Sequence, residues 1–517
     1  MILLAAAPAA AQATTTRPPA PQRAAAQVAL RRAEALMHGA RPGAPRDATL
    51  ALRDLALRAG SLGPAGQQAA GQLLSRPPDD TSASDVSSWP DGEDPSSPDC
   101  GADICVHWAA PGSDAPPAVD TSPADGIPDW VETVLQTAEQ VWNAEVDTMG
   151  YRPPLPDTGS TDNGGDGRLD VYLNDLAPSN LYGACVSDDP KLPTLGQPGV
   201  TWDVSAWCEI DNDYTDPIYA GLTPTQNLEV TLAHELFHAV QFGYDFGEDS
   251  WLMESTATWI EDEVYDPVND NRRYLSTSPM TAPWVPLDRT RGCCFQYGAW
   301  IWFRYLSERM GPSIVREVWE RADGAAGGPD DYSAQAIVHA LHAHGTSFRD
   351  QFGDFAAWNR IPALRYSEGR HYPAAPIAAS YRLGAARTST GWLGTALKHM
   401  SSVYLAFRPG RSDGRRAHLT VQVDGPPRVT APQARLLVVH ASGAVTMHGF
   451  DLDRDGRGSL RVGFGRGRIA RVVLVMTNAS TRFANCFPPP PAAATQYSCG
   501  GVPVDDGGRY SFRARIR

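Results

Sequence analysis

The sequence predicts an α+β protein whose C-terminal part is a β-sandwich, and three features of the chain predict it. Between Cys100 and about Asp211, short apolar strand patterns are interleaved with one amphipathic helix. From about Thr223 to Arg360 helical periodicity dominates. Beyond Gly391 the text changes to short alternating segments separated by Gly, Pro and Asp turns, the pattern of a sandwich. A chain of 517 residues with 42% hydrophobic and 20% charged residues can bury the cores of two or three domains.

The first residues, MILLAAAPAAAQA, form a short apolar run ending in Ala11-Gln12-Ala13, a small-residue pattern suited to signal-peptidase cleavage. Residues 1–13 are therefore read as a signal-peptide remnant, which predicts a secreted protein. Residues 14–99 combine an Ala/Arg-rich helical part, with apolar spacing in ATLALRDLALRAG, and a Pro/Ser/Asp-rich tract from Arg76 to Asp99. A helical module and linker ahead of the main fold suggests a propeptide, or an N-terminal extension with little order. DICVHWA then reads as a strand, PDWVETVLQTAEQVWNAEV as a helix, and RLDVYLNDL and VTWDVSAWCEID as further strands. FQYGAWIWFRYLSERMG reads as one helix stopped by Gly311-Pro312, and SFRDQFGDFAAWN as another. VYLAFRP, HLTVQV, RLLVVHA, SLRVGF and RVVLVMTN supply the sandwich strands.

Eight cysteines occur at Cys100, Cys105, Cys185, Cys208, Cys293, Cys294, Cys486 and Cys499, an even count without CxxC spacing. They are read as disulfides of an oxidising compartment, with Cys100–Cys105, Cys185–Cys208 and Cys486–Cys499 as the favoured pairs. That leaves the adjacent Cys293 and Cys294. Net charge is −15, and no dense basic run occurs outside Arg408 to Arg416, which argues against a nucleic-acid partner. No stretch reaches the roughly 18 to 20 apolar residues that a membrane span requires.

His234-Glu235-Leu236-Phe237-His238 is an HExxH motif. On a helix, two histidines four residues apart share one face and can grip one metal ion. Thr223-Pro224-Thr225-Gln226 offers a capping box with Pro at the first helical position, and LEVTLAHELFHAVQ continues without Gly or Pro. Glu235 is turned one residue step off the ligand face, which suits it to act as general base on a water. Catalytic Zn2+ takes three protein ligands. Glu254 is the best third ligand, because DSWLMESTATWIEDEVY starts a second helix at Asp249 or Ser250, and its small residues Ser255 to Thr258 permit close packing. The metzincin pattern HExxHxxGxxH fails after His238.

HELFHAVQ, then WLMESTATWIEDE, then FQYGAWIWFRYL together resemble the gluzincin class of zinc peptidases, in which a Glu on the next helix completes the site, and are most similar to its little-characterised secreted members. The resemblance spans about residues 100–360. It implies a zincin-like metallopeptidase domain over residues 100–390, with a mostly helical C-terminal subdomain, followed by the β-sandwich at 391–517. It implies hydrolysis of a protein or peptide substrate, and it makes Tyr297 the match for a Tyr that stabilises the oxyanion in aminopeptidase-like relatives. Ser255 stands where the class usually has Gly after the glutamate, and an exopeptidase motif is missing.

Glu261 is expected to face solvent rather than buttress a ligand histidine. His339, His342 and His344 fall on different helix faces and are read as ordinary surface residues. DNGGDGRLD (Asp162, Asp166, Asp170) and DLDRDG (Asp451, Asp453, Asp455) are candidate Ca2+ loops, although neither carries an EF-hand glutamate. The competing reading of the whole chain is a secreted binding or adhesion protein on a catalytically silent scaffold. A zinc hydrolase of non-peptide substrates is a third.

Overall fold

The computed structural model describes residues 20–39, 46–77, 89, 93–161, 163–193, 199–290, 294–410, 417–486 and 496–517. Residues 1–13, Asp162 and Cys293, which carry the signal-peptide reading, one candidate calcium ligand and one cysteine, lie outside them. Three helices come first: α1 (Ala20–Met37), α2 (Thr49–Ala56) and α3 (Pro64–Leu74). A five-stranded sheet follows, formed by β1 (Asp99–Cys100), β2 (Ile104–His107), β3 (Leu169–Asn174), β4 (Gly183–Val186) and β5 (Trp207–Asp211), with α4 (Asp129–Trp142) inserted after β2. Its order is β1-β2-β3-β5-β4. β2, β3 and β5 are parallel, and β4 closes one edge antiparallel to β5.

Every residue of β3 is buried, as expected of a central strand covered on both faces. Val171 and Leu173 point into a core shared with α4 and the helices that follow. Tyr172, Ala184, Val186 and Trp207 point the other way and pack against Ala26, Ala33, Leu52, Leu55, Ala70 and Leu73 of α1 to α3. The N-terminal helices are thus a layer of the fold.

Seven helices continue the first core: α5 (Pro224–Asp245), α6 (Ser250–Val264), α7 (Phe295–Gly298), α8 (Trp300–Met310), α9 (Ser313–Arg321), α10 (Ala334–Ala343) and α11 (Phe348–Arg360). The helix expected over FQYGAWIWFRYL is broken between α7 and α8. Gly298 lies at the break, pressed on the 3-10 helix Asp270–Thr277 so closely that a Cβ there would sit 2.2 Å from the Thr277 carbonyl oxygen.

The sandwich comprises β6 (Ala379–Leu383), β7 (Leu393–Leu397), β8 (Ser401–Pro409), β9 (His418–Asp424), β10 (Pro432–His440), β11 (Val445–Gly449), β12 (Arg457–Gly463), β13 (Ile469–Asn478) and β14 (Gly508–Ile516). Its two sheets run β11-β10-β13-β8-β6 and β12-β9-β14-β7. The expected boundary at 391 is too late: β6 lies before it and pairs parallel to β8. The five residues ASYRL alternate apolar and polar side chains but are short and follow an Ala/Pro-rich stretch, which hides the strand.

Cys100–Cys105, Cys185–Cys208 and Cys486–Cys499 are bonded as expected. Cys294 is also disulfide-bonded, and the described residues contain no free cysteine. Among the described residues no helix is long and apolar enough to cross a membrane.

Candidate metal centre

α5 starts on the cap that the sequence predicts. Thr223 Oγ1 accepts from the Gln226 N–H at 3.2 Å, and the Thr223 N–H donates to Gln226 Oε1 at 3.0 Å. The helical repeat then sets the His234 and His238 rings 4.8 Å apart between centroids. On α6, Ser255, Thr256, Ala257 and Thr258 are fully buried, and these small residues let Glu254 come up against the histidines.

Glu254 Oε2 lies 3.5 Å from His234 Nε2 and 3.9 Å from His238 Nε2, too far for good hydrogen bonds to either. One ligand atom from each of the three residues falls within 4.8 Å of the other two. All three atoms are buried and lack a hydrogen-bond partner. Buried polar atoms are almost always paired, so three orphans converging on one point fit a metal ion.

The far sides of both rings are held. His234 Nδ1 lies 2.7 Å from Glu261 Oε1. A carboxylate only accepts, so the hydrogen sits on Nδ1 and Nε2 is free to ligate. His238 Nδ1 lies 2.7 Å from Gln241 Oε1, and the Gln241 amide is oriented by donating to the Met253 carbonyl at 3.0 Å and Thr256 Oγ1 at 3.1 Å. Glu261 is 5% exposed, which corrects the expectation that it faces solvent. It stands two helical turns after Glu254 and therefore on the same face. Gln241, one turn beyond His238, went unnoticed in the sequence although its spacing carried the signal.

Glu235, 1% exposed, accepts at Oε2 from the Thr49 hydroxyl at 3.0 Å. It passes so close to β4 that a Cβ on Gly183 would lie 2.8 Å from Glu235 Cγ, which requires a glycine at the strand edge. Tyr297 is at the site as well. Its hydroxyl donates to Asp47 Oδ2 and lies 3.3 Å from Glu254 Oε1, and its ring stacks on Tyr274 at 5.0 Å. Asp47 and Thr49, from the N-terminal segment, were not anticipated.

Burial pushes the Glu235 carboxyl well above its ordinary range, and the nearby Asp47 charge adds to the shift. The same two causes raise Glu254 to about 7. Burial drives His238 well below the usual imidazole value, whereas at His234 the lowering effect of burial is outweighed by the neighbouring Glu254 and Glu261 carboxylates, which raise it. Asp47, Glu235, Glu254 and Glu261 crowd around two imidazoles in a water-poor space, a charge pattern that a divalent cation would balance.

Among the described residues the remaining candidates are engaged by other partners or exposed. Asp170 contacts Arg76 and His107, and Asp166 contacts Arg168. Asp453 accepts from the Asp455 and Arg457 N–H groups in an ordinary turn. His339 pairs with Asp331 and His344 with Glu317, while His342 is exposed. Asp262, Asp266 and Glu368 come together, but Arg304 stands 3.0 Å from Asp262 and Arg272 pairs with Glu368.

Residues 79–374, more than half of the chain, match a family described as a family of unknown function (DUF6055). No curated protein matches the chain. Among solved structures it is similar to the pre-peptidase C-terminal domain of a collagenase from Bacillus anthracis, at 9% identity and a TM-score of 0.16, covering 28% of this chain and 97% of that one. A family GH115 4-O-methyl-alpha-glucuronidase gives 8% identity and a TM-score of 0.15, over 57% of this chain and 38% of that one. A beta-glucosidase from Paenibacillus barengoltzii gives 10% and 0.13, over 34% and 17%. At these TM-scores the likenesses bear on neither fold nor activity.

Proposed function

The chain belongs to the family of unknown function DUF6055, and from its buried centre we propose that it is a secreted zinc-dependent peptidase of the gluzincin type, built on a zincin-like domain. One observation carries the reading: His234 Nε2, His238 Nε2 and Glu254 Oε2 converge as buried, unpartnered atoms with the Glu235 carboxylate beside them. Two imidazoles and one carboxylate are a ligand set of catalytic zinc. Bound zinc supplies Lewis acidity, which lowers the pKa of water and polarises a carbonyl.

The residues around it divide the remaining work. Glu261 and Gln241 fix the ring orientations of His234 and His238. Glu235 accepts the proton of the attacking water and returns it to the departing amine, a role suited to a carboxyl whose affinity for protons is raised by burial. The Tyr297 hydroxyl donates to the carbonyl oxygen as it gains charge. The disulfides support an oxidising, extracellular compartment.

The test is a Glu235→Gln variant assayed against labelled casein under zinc-replete conditions. Gln keeps the shape but cannot take the proton, so hydrolysis is expected to fall by about a hundredfold to ten-thousandfold with zinc content unchanged. Full activity in the variant would contradict the mechanism. A zinc-loaded wild-type protein that cleaves nothing, even with the N-terminal segment displaced, would favour the binding-protein reading.

A further inference from the structure

The chain's own N-terminal segment lies across this centre. Asp47 bridges Gly183 at the free edge of β4 in the parallel sense. On either side of that bridge the Tyr182 N–H donates to the Arg46 carbonyl at 2.7 Å, and the Cys185 N–H donates to Thr49 Oγ1 at 2.8 Å. The strand edge is thus covered by the turn of chain that leads into α2, through one β-bridge at Asp47 and the Thr49 hydroxyl.

Both groups assigned to proton transfer and charge stabilisation are engaged by the same piece. Thr49 donates to Glu235, and Tyr297 donates to Asp47. Asp47 is 6% exposed and Thr49 is fully buried, so neither contact is incidental to a mobile surface. The cavity left among Asp47, His234, Glu235 and Tyr297 is about 40 Å³. That admits a water or an ion, whereas a site for an organic ligand runs to about 300 Å³ or more. Residues 46–49 thus take up the space beside His234, Glu235 and Tyr297 that a peptide would need.

The segment is also fastened at two points beyond the block. Arg53, 2% exposed, donates to the Glu248 carbonyl at 2.6 Å and to Ser250 Oγ at 3.1 Å, next to the start of the helix that carries Glu254. Arg76 is enclosed by Asp157, Asp170 and Asp188. Between them, α2 and α3 cover Tyr172 and Trp207 of the sheet.

We propose that residues 46–77 are a built-in inhibitor of the site, with Asp47 and Thr49 capping Tyr297 and Glu235 and closing the cleft to substrate. The proposal rests on the peptidase reading for what is inhibited. The blocked form is the stably packed one, and activity requires the cap to leave the β4 edge.

The test uses the full zinc-loaded chain, comparing wild type with the double variant Asp47→Ala, Thr49→Val. Three quantities are read: the rate of zinc transfer to 1,10-phenanthroline, amide hydrogen exchange over residues 46–56, and hydrolysis of labelled casein. The double variant is expected to transfer zinc at least tenfold faster, to exchange faster over 46–56, and to hydrolyse casein at least tenfold faster. Equal zinc transfer and equal, measurable hydrolysis in the two proteins would overturn the cap and leave the peptidase reading standing. Faster transfer and exchange without hydrolysis in either protein would support the cap and sink the peptidase reading. If the double variant does not fold, Asp47→Asn, which keeps the side-chain shape, is expected to give the same ranking at smaller amplitude, and no change in any of the three readouts would again overturn the proposal.

Discussion

Zinc affinity at two imidazoles and a carboxylate depends on the atoms behind the ligands as well as on the ligands. Glu261 holds His234 by its Nδ1 hydrogen from a position 5% exposed to solvent. Replacing Glu261 with Ala is expected to weaken zinc binding by about tenfold to a hundredfold, as losses behind a ligand histidine generally do. Competition against a chelator of known affinity measures it; unchanged affinity would mean that the Glu261 contact is only structural. At this scale the convergence of His234, His238 and Glu254 was legible, because HExxH and a second helix with small residues dictate their own geometry. Glu261 was misjudged, although its seven-residue spacing from Glu254 placed it on the same face. Asp47 and Thr49 could not be read at all. RDATLAL looks like an ordinary helix start, and Asp47 meets Tyr297 across 250 residues of sequence.

Among the elements, the contact between the loop before α7 and the sandwich turns on one histidine. His399 is fully buried, with Nε2 3.0 Å from Asp288 Oδ1 and Nδ1 3.0 Å from Asp506 Oδ1. Burial alone would lower its pKa, but the two carboxylates prevail and raise it to about 9. A group whose folded pKa is raised stabilises the fold fully below its unfolded value of about 6.5 and loses that contribution as pH rises through the folded value. Between pH 6.5 and 9 the wild type is therefore expected to lose roughly 3 kcal/mol that a His399→Gln variant does not lose. Urea unfolding at several pH values checks it, and parallel pH profiles for the two proteins would refute it. The helices and most sandwich strands were readable from their periods. β4 and β6 were not, since four or five residues carry a weak strand signal even where they alternate as ASYRL does, and their pairing comes from neighbours distant in sequence.

On the scale of the whole molecule, the N-terminal helices are a layer over the sheet and not a detached module, and Arg76 shows how firmly they are bound. Its guanidinium is buried between Asp157, Asp170 and Asp188, with Nε 2.8 Å from Asp188 Oδ2. Removing one partner of a buried ion pair leaves uncompensated charge, so Arg76→Ala is expected to cost about 3–5 kcal/mol in urea unfolding. A loss below about 1 kcal/mol would mean that the carboxylates find water or other partners. The sequence placed a helical region ahead of the fold, but the carboxylates that receive Arg76 are spread over more than thirty residues of loop and strand, and nothing local announces their meeting.

The proposed zinc site is made by His234, His238 and Glu254, and metal content tests it most directly. Plasma mass spectrometry of dialysed protein is expected to find one zinc per chain in the wild type and in Glu235→Gln, and only a small fraction of that in His238→Ala and Glu254→Ala. A wild type without zinc, or full zinc in the two ligand variants, would contradict it.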